Sequence, residues 1–129
     1  MTSDPCICLG NDSLAAKAAI RKARCVAELA DESHFMVSIR RCDACGQHFL
    51  TLFCECVDWA DGDDPQTWVA VPVSTDEMRQ LQTANVAADE NAILRVVTSE
   101  RRLLHHDMPK GAAPRLSWVT RPLFIPAHD

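Results

Sequence analysis

Two cysteines separated by two residues form the segment best suited to chemistry. They lie in Arg41-Cys42-Asp43-Ala44-Cys45-Gly46-Gln47, between two runs that predict strands. A tight turn there would bring both sulfurs to one side, and Gly46 would let the backbone curl so that amides point at the thiolates. Zinc suits such ligands because it binds thiolates in tetrahedral geometry and has no redox chemistry of its own. The segment therefore predicts a metal-binding turn.

The CxxCG turn resembles the zinc knuckle of zinc-ribbon and treble-clef proteins. The resemblance covers roughly residues 34–57, and Asp43 stands where such knuckles often carry proline. It implies a metal-binding turn and no particular family function. A redox role is disfavoured, because thioredoxin-like CxxC motifs stand at a helix N-terminus, whereas this one joins two predicted strands.

A closed structural zinc site needs two more ligands. Cys6 and Cys8 form a CxC pair in an irregular leader, residues 1–12, which could fold back on the turn. The predicted cofactor is therefore zinc, and the predicted metal ligands are Cys6, Cys8, Cys42 and Cys45.

Three further cysteines compete with this assignment. Cys54 and Cys56 share one face of the second predicted strand and are interpreted as buried core residues, and so is Cys25 in the first predicted helix. Completion of the site by one of them, or by a histidine such as His48, stays open. No arrangement of residues identifies catalytic residues, and we expect a protein that is not an enzyme.

Composition narrows the class of protein. The chain has 129 residues and seven cysteines, an odd number that cannot all pair within one chain. Residues 1–9 lack the basic and apolar regions of a signal peptide, and no run of about 18 apolar residues predicts a membrane span. We therefore expect a small soluble cytoplasmic protein without membrane contact, whose cysteines bind metal or pack in the core.

Charge is unevenly distributed. The net charge of −5 combines 7 basic and 15 acidic residues in 1–94 with 6 basic and 3 acidic residues in 95–129. The acidic balance argues against a nonspecific nucleic-acid binder, which needs many basic contacts to phosphate. The basic end is expected to dock on the acidic remainder of the fold, or else to meet an external partner.

The predicted fold class is α+β, in a single domain of residues 1–129. A small antiparallel sheet with a zinc-knuckle hairpin is flanked by an N-terminal helix and C-terminal helices. Alternating apolar residues predict strands at 34–41, 48–57 and 68–73, and Pro72 suggests that the third lies at a sheet edge. An Ala-rich amphipathic pattern predicts the first helix at 14–30.

The C-terminal half should be largely helical. Ser74 and Glu77 form a capping box that predicts a helix from 75 to about 84. A second helix is predicted from about 89 to 105, with His105 and His106 as favourable groups at its C-terminal end. Residues 115–129 should form an extended segment, with a last strand around 116–119.

An acidic loop at residues 58–66 supplies a second candidate surface. It contains no EF-hand pattern, so calcium is not indicated, but tryptophan beside charge is typical of interaction hot spots. The predicted partner-binding residues are Asp58, Trp59, Asp61, Asp63, Asp64 and Trp68.

Three hypotheses of function follow. The first is a non-catalytic zinc-binding module, an adaptor or toxin-neutralising protein, that contacts a basic protein partner. The second is a nucleic-acid-associated regulator that uses the basic residues Arg95, Arg101, Arg102, Lys110, Arg115 and Arg121. The third is a zinc-dependent hydrolase, which would need an open coordination position. The sequence does not indicate the oligomeric state.

Overall fold

The computed structural model describes residues 5–56 and 64–128, which form a six-stranded antiparallel sheet and three α-helices. The strands lie side by side in chain order, which confirms the predicted α+β class. The strands are β1 Arg24–Glu32, β2 Phe35–Arg41, β3 His48–Glu55, β4 Gln66–Val73, β5 Arg101–Met108 and β6 Arg115–Arg121. The helices are α1 Ser13–Lys22, α2 Thr75–Thr83 and α3 Asn91–Val96, and a short 3-10 helix, Ile7–Leu9, precedes them.

Both faces of the sheet carry a hydrophobic core. On one face, the inward side chains of β2 to β5 pack with Leu81 of α2 and Ile93 of α3. On the other face, Phe49 and Leu104 pack with Ile20 of α1 and with Cys8. A strand covered on both sides buries consecutive residues, and residues 49–52 of β3 are all buried.

The prediction of a first helix at 14–30 is wrong for its second half. It ends at Lys22, and residues 24–32 form β1, which pairs with β2 through a tight turn that joins Glu32 to Phe35. The register shifts twice along β1, so its side chains do not alternate regularly. Long-range pairing with β2 therefore overrides an Ala-rich sequence that favours helix locally.

The second C-terminal helix is also shorter than predicted. It spans only Asn91–Val96, and residues 101–108 form β5 between β4 and β6. Leu103 and Leu104 are both buried, one in each core, because each faces a different covered side of the sheet. Two adjacent apolar residues interrupt the alternation by which a strand is recognised, so this segment was predicted to be helical.

Pro72 does not mark a sheet edge, since β4 is an interior strand. The pairing of β4 with β5 ends at Ala70, before Pro72 is reached. The carbonyl of Pro72 faces β5 and accepts a hydrogen bond from Arg101 at 3.0 Å. A proline is tolerated there because the strand pairing that would need its N–H has already ended.

The predicted capping box at α2 is confirmed. The hydroxyl of Ser74 accepts from the amide of Glu77, and the Glu77 carboxylate accepts from the amide of Ser74. Arg101 at the start of β5 also donates to both oxygens of Glu77, at 2.8 and 2.9 Å. These bonds from Arg101, against the opposing effect of burial, lower the pKa of Glu77. One carboxylate therefore both caps α2 and joins it to the sheet.

We predict that Glu77→Gln lowers the free energy of unfolding by about 1.5 kcal/mol, because glutamine keeps an acceptor for the cap but loses the charged pair with Arg101. The pair stabilises the fold fully above the ordinary glutamate pKa of about 4.5 and is lost as the pH falls through the lowered pKa of the folded state. Urea unfolding should therefore show the difference from wild type shrinking on acidification. Asp76→Asn, at an exposed position of the same turn, should cost less than about 0.5 kcal/mol. Equal losses for the two variants would contradict the pairing.

Candidate metal centre

Four cysteine sulfurs meet between the N-terminal leader and the sheet. Cys6 precedes the 3-10 helix and Cys8 lies within it, whereas Cys42 and Cys45 lie in the turn between β2 and β3. The four Sγ atoms all lie within 4.8 Å of one another. The structure thus brings together the four cysteines that were predicted from the sequence.

Two of the six sulfur separations are close to those of a tetrahedral metal site, and all six are within 4.8 Å. Sγ of Cys6 lies 3.7 Å from Sγ of Cys42, and Sγ of Cys8 lies 3.5 Å from Sγ of Cys45. Four sulfurs at about 2.3 Å from a central zinc would lie about 3.8 Å apart. A disulfide would require about 2.05 Å, and all four cysteines are free thiols. The donor set and its spacing therefore fit a tetrahedral thiolate site.

The turn that holds Cys42 and Cys45 depends on a glycine. Gly46 has φ of +81°, in the left-handed region that favours glycine, and its amide donates to the carbonyl of Cys42 at 2.7 Å. The Gln47 side chain continues the anchoring, because its amide nitrogen donates to the carbonyl of Val73 in β4 at 3.0 Å. The turn is therefore held in a curled shape and fixed to the sheet.

The backbone of the turn also favours a thiolate. Burial opposes ionisation of Cys42, but hydrogen bonds from the amides of Cys45 and Ala44 outweigh it, and the pKa of Cys42 falls to about 7. Cys8 is fully buried, and this burial, together with its thiol neighbours, raises its pKa. The turn therefore favours the thiolate form of Cys42, whereas burial favours the thiol form of Cys8.

Two arginines place positive charge beside the turn. Arg41 and Arg24 both pair with the exposed carboxylate of Asp43, at 3.1 and 3.3 Å. The Arg41 guanidinium also lies against Gly46, with Nη2 3.5 Å from the position that a Cβ would take there. Such cations would offset the negative charge that four thiolates leave around a divalent ion.

The leader is also hydrogen-bonded to the last two strands of the sheet, β5 and β6. Arg102 of β5 donates to the carbonyl of Leu9 at 2.9 Å and to the side chain of Asn11 at 3.0 Å. The indole of Trp118 in β6 donates to the carbonyl of Gly10 at 2.7 Å and stacks under the Arg102 guanidinium. Sequence reasoning missed these two anchors. No local pattern points to them, because 91 to 108 positions separate the partners.

The other cysteines lie outside the cluster. Cys54 is buried in the first core, as predicted, and burial raises its pKa to about 12. Cys56, just after β3, is only half-buried. Cys25 lies exposed on β1, so its assignment to a helix and to the core is wrong.

The histidines make other contacts. His34 pairs with Glu55 at 2.9 Å. His105 and His106 lie on β5 rather than at a helix end, which corrects their predicted role, and burial lowers the pKa of both. His48 is half-buried at the start of β3 and is not part of the sulfur cluster.

The predicted partner-binding loop is mostly outside the described residues, since Asp58, Trp59, Asp61 and Asp63 fall in the gap at 57–63. Asp64 is half-buried. Trp68 is only 9% exposed and packs in the second core, so little of its indole surface is accessible to a protein partner, which argues against the role predicted for it.

Comparison with known proteins yields no match among family models, curated proteins or solved structures. The character of the site therefore rests on its own geometry. In the described residues, no helix is long and apolar enough to cross a membrane.

We predict that Gly46→Ala destabilises the fold by about 1 kcal/mol, because alanine is strained at positive φ. Gly111→Ala is the matched control, since Gly111 has φ of +74° in the turn between β5 and β6 and open space around it. Both variants should lose similar stability in urea unfolding. Only Gly46→Ala should speed the reaction of the clustered thiols with a thiol reagent. Identical thiol kinetics in the two variants would contradict the role given to this turn.

Proposed function

We propose that the chain is a zinc-binding module in which Cys6, Cys8, Cys42 and Cys45 hold one Zn²⁺ in a closed structural site. The observation that carries this proposal is the convergence of four sulfurs, from two distant segments, at separations close to those of a tetrahedral thiolate site.

The proposed site supplies structure rather than catalysis. Four sulfur ligands fill the tetrahedral shell of zinc and leave no position for water or substrate. A zinc-dependent hydrolase, by contrast, needs an open position. The geometry therefore favours the non-catalytic hypothesis.

The proposed zinc site would bind the leader to the sheet. The 3-10 helix has three residues, and so short a segment has little stability of its own. Cys8 is fully buried, and it contributes to the second core beside Ala16 and Ile20. Zinc binding would thus contribute free energy to folding and keep this part of the core closed.

We predict that the purified protein carries one zinc ion and that Cys8→Ser and Cys42→Ser each lose it. Removal of one of four thiolates opens the shell and weakens binding by several kcal/mol. Native mass spectrometry should measure the stoichiometry, and thermal unfolding with and without a chelator should measure the loss of stability.

Cys25→Ser is the matched control, because Cys25 is exposed and lies outside the cluster. It should keep the metal and the unfolding temperature of the wild type. A wild-type protein without zinc, or a Cys8→Ser variant with full zinc content, would overturn the proposed site.

We further propose that the module works through protein contacts made by the zinc-held leader. Ile7 in the 3-10 helix is 64% exposed and Leu14 at the start of α1 is 72% exposed, the two highest values among the exposed large hydrophobic residues. The 3-10 helix packs against α1, so a metal that fixes the leader would also fix the presentation of both side chains. Contiguous exposed apolar surface marks protein interfaces, and in this proposal Ile7 and Leu14 together form such a patch. The acidic loop at 58–64 stays a second proposed surface, for a basic partner.

The nucleic-acid hypothesis has less support. Arg101 is bound by Glu77 and Arg95 by Asp89, so their charges are compensated within the fold. Arg102 and Arg121 lie over the aromatic rings of Trp118 and Phe124. Most of the basic C-terminal residues are therefore already engaged, whereas phosphate binding requires cations that are free to meet the backbone.

We predict that Leu14→Asp abolishes capture of the protein partner while the protein stays folded and zinc-bound. Affinity capture followed by a direct binding measurement with the captured protein provides the readout. Phe124→Asp is the control, because Phe124 is exposed and apolar but lies in the C-terminal segment. If the Leu14→Asp variant binds the captured partner as the wild type does, the leader surface is not the interface.

A further inference from the structure

One face of the sheet is only partly covered by α1. The uncovered part forms a groove of about 400 Å³ along the side of α1, and this volume is within the usual range of small-molecule sites. We call it the α1 groove. It is lined by α1 on one side, by β2, β3 and β4 beneath, and by β1 at the sheet edge.

The floor of the α1 groove is apolar. Met36, Phe53 and Trp68 are direct cross-strand neighbours on β2, β3 and β4, so their side chains form one row on this face. Met36 is 41% exposed and Phe53 is half-buried. An adjacent hydroxyl pair, Ser38 and Thr51, is hydrogen-bonded at 2.6 Å. The floor can therefore bury a flat apolar ligand and offer it a few polar atoms.

Two cations lie at the α1 side of the groove. Lys17 and Arg21 are four residues apart on α1, so they lie on the same side of the helix. Nζ of Lys17 lies 4.9 Å from the ring centre of Trp68 and contacts Nδ1 of His106. Burial, and then the charge of Arg21, lower the pKa of Lys17. The two cations thus repel each other, and within residues 5–56 and 64–128 neither forms a salt bridge.

The acidic residues of the groove lie on a different strand from the one that Lys17 contacts. Glu28 and Asp31 belong to the edge strand β1, where Asp31 is the cross-strand neighbour of Met36. Lys17, in contrast, contacts Trp68 of β4, which is three strands further into the sheet than β1. A bound anion would therefore be attracted to α1 and repelled from β1, which defines its orientation.

We propose that the α1 groove binds a small amphipathic anion, with a flat apolar body on the row of Met36, Phe53 and Trp68 and a carboxylate or sulfonate at Lys17 and Arg21. The apolar row supplies the buried area, and the cation pair of Lys17 and Arg21 selects the charge. The third cation of the lining, Arg40, donates to the carbonyls of Arg21 and Ala23. This site is separate from the sulfur cluster and does not depend on the identity of the metal.

The test uses the fluorescent aromatic sulfonate 1-anilinonaphthalene-8-sulfonate and the folded full-length protein. Binding should saturate at one probe per chain. Lys17→Gln combined with Arg21→Gln should weaken it at least about ten-fold, which corresponds to about 1.4 kcal/mol. Lys22→Gln removes a charge from the same helix outside the groove lining and should leave the affinity unchanged. Asp31→Asn should leave it unchanged or strengthen it.

Competition separates charge from hydrophobicity. Naphthalene-2-carboxylate should displace the probe, and the neutral alcohol of the same ring should displace it much less well. The proposal is overturned if binding does not saturate, if the neutral alcohol competes equally, or if the double variant keeps wild-type affinity. Arg21→Gln alone, at an exposed position, provides the same test if the double variant does not fold.

Discussion

The burial of both faces of a single six-stranded sheet is the constraint on which this structure depends. An antiparallel sheet can leave one face to solvent, but here β3 and β4 each bury a run of consecutive residues. One face is covered by α2 and α3, and the Glu77–Arg101 pair joins α2 to β5. Within residues 5–56 and 64–128, the other is covered by the ten-residue α1 and by the leader that precedes it. The position of that leader therefore decides whether the second core stays closed.

The leader is too short to hold itself in place, and two sets of contacts position it. Its first half is drawn to the turn between β2 and β3 by the four-cysteine cluster. Its second half is held by hydrogen bonds to Arg102 and Trp118 on β5 and β6. The described part of the leader thus contacts the turn between β2 and β3 through its cysteines and strands β5 and β6 through its last residues. In the proposed zinc site, metal binding is part of folding, because the ligands meet only when this span is complete.

The two proposed binding surfaces follow from the same arrangement. Ile7 and Leu14 are exposed because the leader and the start of α1 lie on the outside of the second core. The α1 groove exists because a helix of ten residues cannot cover a face of six strands. Since α1 follows the leader directly, the contacts that position the leader also determine where the cations Lys17 and Arg21 lie.

The sequence alone determined the features that depend on neighbouring residues. The CxxCG turn, the capping box of Ser74 and Glu77, strand β2 and the α+β class could all be predicted, because their causes lie within a few positions of each other. The tertiary structure decided that residues 24–32 and 101–108 are strands, since distant segments supply their pairing partners and, for residues 101–108, the cover on both faces. It also decided that Trp68 is buried and that Lys17 and Arg21 meet an apolar groove. Long-range contacts outweigh local preference where burial on both sides, as in β5, or shifts of register, as in β1, remove the alternation by which a strand is recognised.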